Sequence, residues 1–133
     1  MPRFRRRAIE PSLFKSVAAI APVTDLALLK SQASGFTNSS LVQSFVGSGH
    51  NARSGSPLRN AAAIKVPVLL IHGDLDSNVG IEHSTRMVGA LSSNGTQVTL
   101  LRYKGLDHQL EDSNARTEML TKVGELLERT IGK

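Results

Sequence analysis

Cysteine and tryptophan are absent from this sequence of 133 residues, and aromatic residues make up only 4% of it. Without cysteine, the chain has no disulfide framework, no thiolate ligands for a metal and no cysteine nucleophile. The same absence is compatible with a cytoplasmic protein, which is the location that we expect. Hydrophobic residues nevertheless make up 40% of the sequence. That fraction suffices for one core in a domain of this size, and the core must be largely aliphatic.

Long apolar runs are absent as well. No run approaches the roughly eighteen residues needed to cross a bilayer, and the basic start is not followed by the apolar segment of a signal peptide. We therefore expect no membrane association.

The positive charge is concentrated at the start of the chain. The net charge is +5, and without the four arginines among the first seven residues (Arg3, Arg5, Arg6 and Arg7) it is about +1, since 5 − 4 = 1. We predict that residues 1–9 are a disordered basic leader and that residues 10–133 form one domain. A nucleic-acid-binding arm is the alternative, but the nearly neutral remainder offers no basic face to support it.

Three short apolar runs predict three β-strands, at residues 17–23, 66–71 and 98–103. The first two are apolar throughout, which is typical of parallel strands buried on both faces. Helical patterns follow the second and third runs, at residues 81–91 and 114–131, and weaker ones lie at 25–32, 41–46 and 59–64. The sequence therefore predicts an α/β fold with three layers, in which helices flank a short, mostly parallel sheet of about three strands.

Acidic and histidine residues follow two of these predicted strands. Asp74 and Asp76 come just after the second strand, and His108 follows the third. Because neighbouring parallel strands end at the same edge of a sheet, Asp76 can accept a hydrogen bond from His108, as the acid of a Ser-His-Asp triad does. The alternative is that the aspartates only close turns and that His108 is a solvated loop residue. His50 and His83 are predicted to lie at the surface, and His72 in the turn that follows the second strand.

The sequence from about residue 10 to residue 131 resembles the prolyl oligopeptidase family of α/β-hydrolases. The features that carry the resemblance are residues 14–25, residues 56–58, the motif His72-Gly73-x-x-Asp76-x-x-Val79, and the later Gly105 and Asp107-His108. The resemblance implies the C-terminal half of an α/β-hydrolase fold. It also implies a dipeptidyl-peptidase-like or acylaminoacyl-peptidase-like hydrolase, or a related esterase, that acts on peptide or ester substrates without a cofactor or a metal.

Carried over by position, the resemblance makes Asp76 the triad acid and His108 the triad base. Asp25 is a competing acid, because some α/β-hydrolases carry the acid after an earlier strand. Asp74 is not at the family's acid position, and Asp107 is expected to shape the loop that carries His108.

The nucleophile of such a triad has no counterpart in the sequence. The family's Gly-x-Ser-x-Gly turn is absent, and the nearest cluster, Gly47-Ser48-Gly49-His50, follows no predicted strand. We expect that the chain begins just after the place of the nucleophile, and that it is weakly active or inactive alone. The sequence leaves open whether the chain alone is an enzyme. The alternative is a non-catalytic remnant that forms homo-oligomers or binds a partner, through the open edge of the first strand or through apolar helix faces.

Overall fold

A computed structural model describes residues 13–132 of the chain. The predicted basic leader over residues 1–9 lies outside the described residues. The elements in chain order are β1 (Val17–Ile20), α1 (Leu26–Ala33), α2 (Ser39–Val46), α3 (His50–Ser54), a 3-10 helix (Pro57–Ala63), β2 (Val68–Gly73), α4 (Glu82–Ser93), β3 (Val98–Tyr103) and α5 (Ser113–Ile131).

The three strands form one parallel sheet in the order β1-β2-β3. In this register Val68 of β2 pairs with Val17 of β1 and with Val98 of β3. Every residue of β2 is buried, as expected for a central parallel strand covered on both faces. The predicted α/β architecture with a short parallel sheet is confirmed.

Three strand boundaries differ from the apolar runs, since β1 ends earlier and β2 begins and ends two residues later than predicted, and two of these differences have local reasons. β1 ends at Ile20 because the next residue, Ala21, has a φ of +45°, outside the region that a strand requires, and Pro22 has no N–H to donate. β2 begins at Val68, directly after Pro67, which likewise cannot donate to the sheet. The run of apolar residues therefore overestimates the length of the first strand.

Helices cover both faces of the sheet, and β2 supplies alternate side chains to each side. On one side, Val68 and Leu70 pack with Met87 and Leu91 of α4 and with the end of the 3-10 helix. On the other side, the core consists of Leu69, Ile71, Leu110 and Leu126, with α5 packed against it. The three layers confirm the predicted arrangement.

The apolar residues of α5 do not form the single face that their spacing predicts. Met119, Val123 and Leu126 pack against the sheet. A second set, which we call the outer stripe, consists of Leu120, Leu127 and Ile131, whose exposed fractions are 67%, 40% and 62%. At about 100° per residue, the outer stripe lies roughly a quarter turn away from the sheet-facing one.

The prediction that His83 lies at the surface is wrong, because this side chain is fully buried at the start of α4. Its Nδ1 atom accepts hydrogen bonds from the backbone N–H groups of Thr24 and Asp25, at 3.2 and 3.3 Å. The Thr24 hydroxyl donates in return to the His83 carbonyl, at 2.7 Å. His83 therefore links α4 to the loop after β1.

Burial lowers the pKa of His83 from 6.5 to about 4. Asp25 and Glu82 oppose this effect, while His72 and Arg86 add to it. His83 is therefore neutral in the folded protein at pH 7, and protonation would place a charge in an apolar site.

We expect the free energy of unfolding to fall as the pH is lowered from about 6.5 to 4. In this window the unfolded chain takes up a proton on residue 83 and the folded chain does not, so up to roughly 3 kcal/mol of stability is lost by pH 4. The substitution His83→Asn should remove this contribution, because an amide oxygen can accept the same backbone N–H groups but does not titrate.

Urea denaturation at several pH values measures the effect as the difference between the variant and the parent chain. Carboxylates contribute equally to both proteins and cancel. His50→Asn, at an exposed histidine, is the matched control and should leave the pH slope unchanged. Equal slopes for His83→Asn and the parent chain would contradict the prediction.

Candidate active site

Asp76 lies in the turn between β2 and α4, with only 7% of its surface exposed. Its Oδ1 atom accepts hydrogen bonds from the backbone N–H groups of Asn78, at 2.9 Å, and Val79, at 2.8 Å. Charge-assisted bonds of this kind are stronger than those between neutral groups. They hold the carboxylate within its own turn and leave Oδ2 directed elsewhere.

His108 lies in the loop after β3, and its Nδ1 atom is 2.7 Å from Oδ2 of Asp76. A carboxylate can only accept, so Nδ1 carries the proton, and Nε2 of the neutral ring carries the lone pair. The Asp76 side chain is fully buried, whereas the His108 side chain is 38% exposed. Within residues 13–132, Nε2 has no hydrogen-bond partner. This geometry suits a histidine that takes a proton from a group on its exposed side.

Close contact between the two strand-end loops brings these side chains together. Gly73, the last residue of β2, leaves no room for a Cβ atom, which would overlap the Leu106 carbonyl and lie 2.7 Å from the Asp107 oxygen. Leu75 N–H donates to the Leu106 carbonyl at 3.0 Å. Behind the loop, Leu110 inserts into the core beneath α5. The His108 loop is therefore fixed by β2 on one side and by the core on the other.

The other two aspartates of these loops hold the backbone. Asp74 Oδ1 accepts from the N–H of Gly105 at 2.7 Å, and Gly105 has a φ of +76°, which favours glycine. Asp107 Oδ1 accepts from the N–H of Gln109 at 2.9 Å. Asp74 joins the two loops, a role that the sequence did not indicate, and Asp107 shapes its own loop, as expected from the sequence.

The competing acid, Asp25, does not meet His108. It follows β1, which β2 separates from β3. Its Oδ1 atom accepts from the N–H of Ala27 at 3.0 Å and so caps α1. A capping role satisfies the first free N–H groups of a helix, and it fully accounts for this carboxylate.

No serine hydroxyl in the described part of the chain hydrogen-bonds to His108. Ser48 is exposed and lies between α2 and α3, so it follows a helix and not a strand. Two negative findings apply to residues 13–132. No group of three or more His, Asp or Glu side chains is arranged to hold a metal ion, and no helix is both long and apolar enough to cross a membrane.

Sequence reasoning missed two buried polar residues behind Asp76. His72 was predicted in the turn but lies within β2, where it is fully buried and contacts Ser84 of α4. The burial of Ser84 could have been anticipated from the spacing on α4. Met87 and Leu91 define its buried face, and a residue three or four positions earlier, such as Ser84 or His83, falls on the same face.

Comparison with known proteins shows that the sequence matches one protein family. The profile described as the Prolyl oligopeptidase family matches residues 8–133. Among curated proteins, the uncharacterised peptidase YuxL of Bacillus subtilis (strain 168) is 34% identical over 55 residues, which are 41% of this chain and 8% of that protein.

Solved structures with similar folds include two peptidases. The acylaminoacyl peptidase of Pyrococcus horikoshii has a TM-score of 0.77 and 21% identity, over 97% of this chain and 22% of that one. A puromycin-hydrolyzing peptidase of Mycobacterium tuberculosis has a TM-score of 0.82 and 22% identity, over 96% of this chain and 20% of that one. These likenesses confirm the predicted α/β-hydrolase fold. The chain spans about a fifth of the length of these structures.

We expect Gly73→Ala to separate His108 from Asp76. The new Cβ would overlap the Leu106 carbonyl, so the loop must move, at a cost of about 1–3 kcal/mol. The Nδ1 proton of His108, hydrogen-bonded to a carboxylate, should give a slowly exchanging NMR signal in the parent chain and lose it in the variant.

Gly89→Ala is the matched control, because nothing lies within 4 Å of a Cβ at this position of α4. It should keep the signal and should raise the stability by about 0.5–1 kcal/mol, because alanine is more favourable than glycine inside a helix. An unchanged His108 signal in Gly73→Ala would show that the close approach does not position this loop.

Proposed function

The chain belongs to the prolyl oligopeptidase family, and from this premise we propose that Asp76 and His108 are the acid and the base of a Ser-His-Asp triad. The intact enzyme would hydrolyse peptide or ester bonds through an acyl-enzyme. The observation that carries the proposal is the 2.7 Å contact between His108 Nδ1 and the buried Asp76 carboxylate. In the neutral ring, this contact places the proton on Nδ1 and the lone pair on Nε2.

In this proposal His108 moves the protons and Asp76 stays ionised. Nε2 takes the proton of the serine hydroxyl while the serine oxygen attacks the substrate carbonyl. The imidazolium then donates that proton to the leaving amine or alkoxide, and a water molecule repeats the sequence to release the acid. Asp76 keeps the ring in the Nδ1–H tautomer and stabilises its positive charge. The bonds from Asn78 and Val79 hold the carboxylate in place for this purpose.

The serine and the oxyanion hole are not provided by any motif of this sequence. It contains no Gly-x-Ser-x-Gly turn, and the oxyanion hole of such enzymes uses the N–H of the residue after that serine. We therefore propose that other protein residues supply both groups, and that the isolated chain is weakly active or inactive. The cytoplasmic location expected from the composition stays a prediction.

A fluorophosphonate probe tests this division of roles, because it labels only an activated serine. We expect no covalent serine adduct on the 133-residue chain alone. We expect labelling in a chimera in which this chain replaces the matching segment of the M. tuberculosis puromycin-hydrolyzing peptidase. In the chimera, Asp76→Asn should lower kcat by about 10⁴-fold, because the wrong histidine tautomer is then favoured.

Two results would contradict the proposal. One is a serine adduct on the chain alone that His108→Ala abolishes. The other is a labelled, folded chimera in which His108→Ala leaves turnover unchanged. Asp25→Asn is the matched control, since Asp25 caps α1 and does not contact His108. This variant should retain the kcat of the chimera.

A second proposed function, association with another copy of the chain, is favoured by the exposed apolar surface. The outer stripe of α5 presents two leucines and an isoleucine on one face. Phe45 of α2 is 90% exposed, beside the exposed Leu41. β1 has a neighbour on one side only within the described sheet, and an open edge can pair with another chain. Such association would not need Asp76 or His108.

We expect the chain to sediment as a dimer or larger species at micromolar concentration. Replacing two residues of the outer stripe, by Leu120→Gln and Leu127→Gln, should shift it towards the monomer, because the buried apolar area is lost. Leu75→Gln is the control, an exposed leucine in the turn after β2 and not part of the outer stripe. A parent chain that is monomeric at micromolar concentration would contradict this prediction.

A further inference from the structure

His72 makes three polar contacts behind the acid of the proposed triad. It is the second-last residue of β2 and is completely buried. Its Nδ1 atom is 2.7 Å from the Ser84 hydroxyl oxygen, and its Nε2 atom is 2.7 Å from the Val79 carbonyl oxygen. Nε2 also lies 3.5 Å from Oδ2 of Asp76.

These contacts determine which nitrogen of His72 carries a proton. The Val79 carbonyl can only accept, so Nε2 must be the donor. In the neutral ring, Nδ1 is then an acceptor, and the Ser84 hydroxyl donates to it. Ser84 is itself fully buried, and His72 is the side-chain partner that satisfies its hydroxyl. The Val79 carbonyl therefore selects the Nε2–H tautomer of His72, which is opposite to that of His108, and the Ser84 hydroxyl complements this tautomer by donating to Nδ1.

The contacts also connect His72 to both ends of the turn that carries Asp76. His72 precedes the turn in the chain, and it hydrogen-bonds to Val79 at the other end. The turn is closed by the bonds from Asn78 and Val79 to Oδ1. The carbonyl of Val79, at its far end, is held by His72 Nε2. The same nitrogen lies near Oδ2 at a distance too long for a strong hydrogen bond, but the attraction to the carboxylate acts between two fully buried side chains.

We propose that His72 is a positioning residue for the pair of Asp76 and His108, and that Ser84 helps to hold the His72 ring in the orientation that this role requires. Oδ2 of Asp76 has two imidazole nitrogens near it, Nδ1 of His108 at 2.7 Å and Nε2 of His72 at 3.5 Å. The catalytic consequence of this positioning by His72 rests on the function proposed above. The positioning itself is a property of this chain, which NMR can measure without activity.

A purely structural role for His72 makes a different prediction. A buried histidine whose hydrogen bonds only stabilise the fold would, when replaced, lower the stability without altering His108. The test must therefore read His108 directly. Exchange of its Nδ1 proton with water, and the ¹⁵N shifts that distinguish the two tautomers, report on its bond to Asp76 and not on overall stability.

The experiment uses the 133-residue chain and three variants. His72→Phe keeps a ring of similar size but removes both hydrogen bonds, and should accelerate exchange of the His108 Nδ1 proton by about tenfold or more. His72→Gln can place an amide N–H near the Val79 carbonyl, and should restore most of the protection. His83→Phe is the matched control, a fully buried histidine with no hydrogen bond to Asp76. It should lower stability and leave the exchange rate unchanged.

A folded His72→Phe variant with the His108 exchange rate and ¹⁵N shifts of the parent chain would overturn the inference and leave the proposed triad intact. If His72→Phe does not fold, Ser84→Ala takes its place, since it removes one of the two hydrogen bonds that hold the His72 ring. Several-fold faster exchange in Ser84→Ala supports the inference, and an unchanged rate overturns it. A parent chain whose His108 lacks a protected Nδ1 proton would instead overturn the proposed triad, and the inference with it.

Discussion

β2 lies between β1 and β3 and is buried along its whole length, so that neither its faces nor its edges are open to solvent. Such a strand can present polar side chains to solvent only in the loops at its ends. At the carboxyl end the chain passes from the buried Ile71 through His72 and Gly73 to the acids Asp74 and Asp76. Because β3 is parallel to β2 and ends beside it, the loop that carries His108 must begin next to this turn. The candidate site is therefore a consequence of one buried strand and its parallel neighbour.

Much of this arrangement could be predicted from the sequence because it depends on short apolar runs and on the polar residues directly after them. The third run has the bounds of β3, and Asp76 and His108 are joined across 32 residues. The features that could not be predicted depend on single backbone conformations and distant partners. β1 ends early because of Ala21, and His83 is buried because of two N–H groups 58 and 59 residues away. The outer stripe of α5 could not be predicted either. Helical spacing shows which apolar residues lie near one another on the helix, but it does not show how many of them the sheet covers.

The two buried histidines show how partners determine the behaviour of the same side chain. His83 accepts at Nδ1, while its Nε2 atom is buried without a partner within the described residues. Burial lowers the pKa of this ring to about 4, so that the folded protein loses stability at low pH. His72 is equally buried, but both of its nitrogens have partners at 2.7 Å. The first histidine links two elements at some cost, whereas the second has the full set of bonds expected of a residue that must hold one orientation.

The pair of Asp76 and His108 is held entirely by groups of this chain. Asp76 is fixed by the N–H groups of its own turn, and the loop of His108 by the contact at Gly73 and by Leu110 in the core. None of these contacts involves the serine of the proposed triad. In the proposed triad, the acid and base would therefore be preorganised in the absence of the serine, and the serine would approach the side of the ring that carries Nε2 of His108. A hydrolase assembled around this chain would need only to bring a serine hydroxyl and two N–H donors to that side, because the tautomer and the orientation of the base are already set.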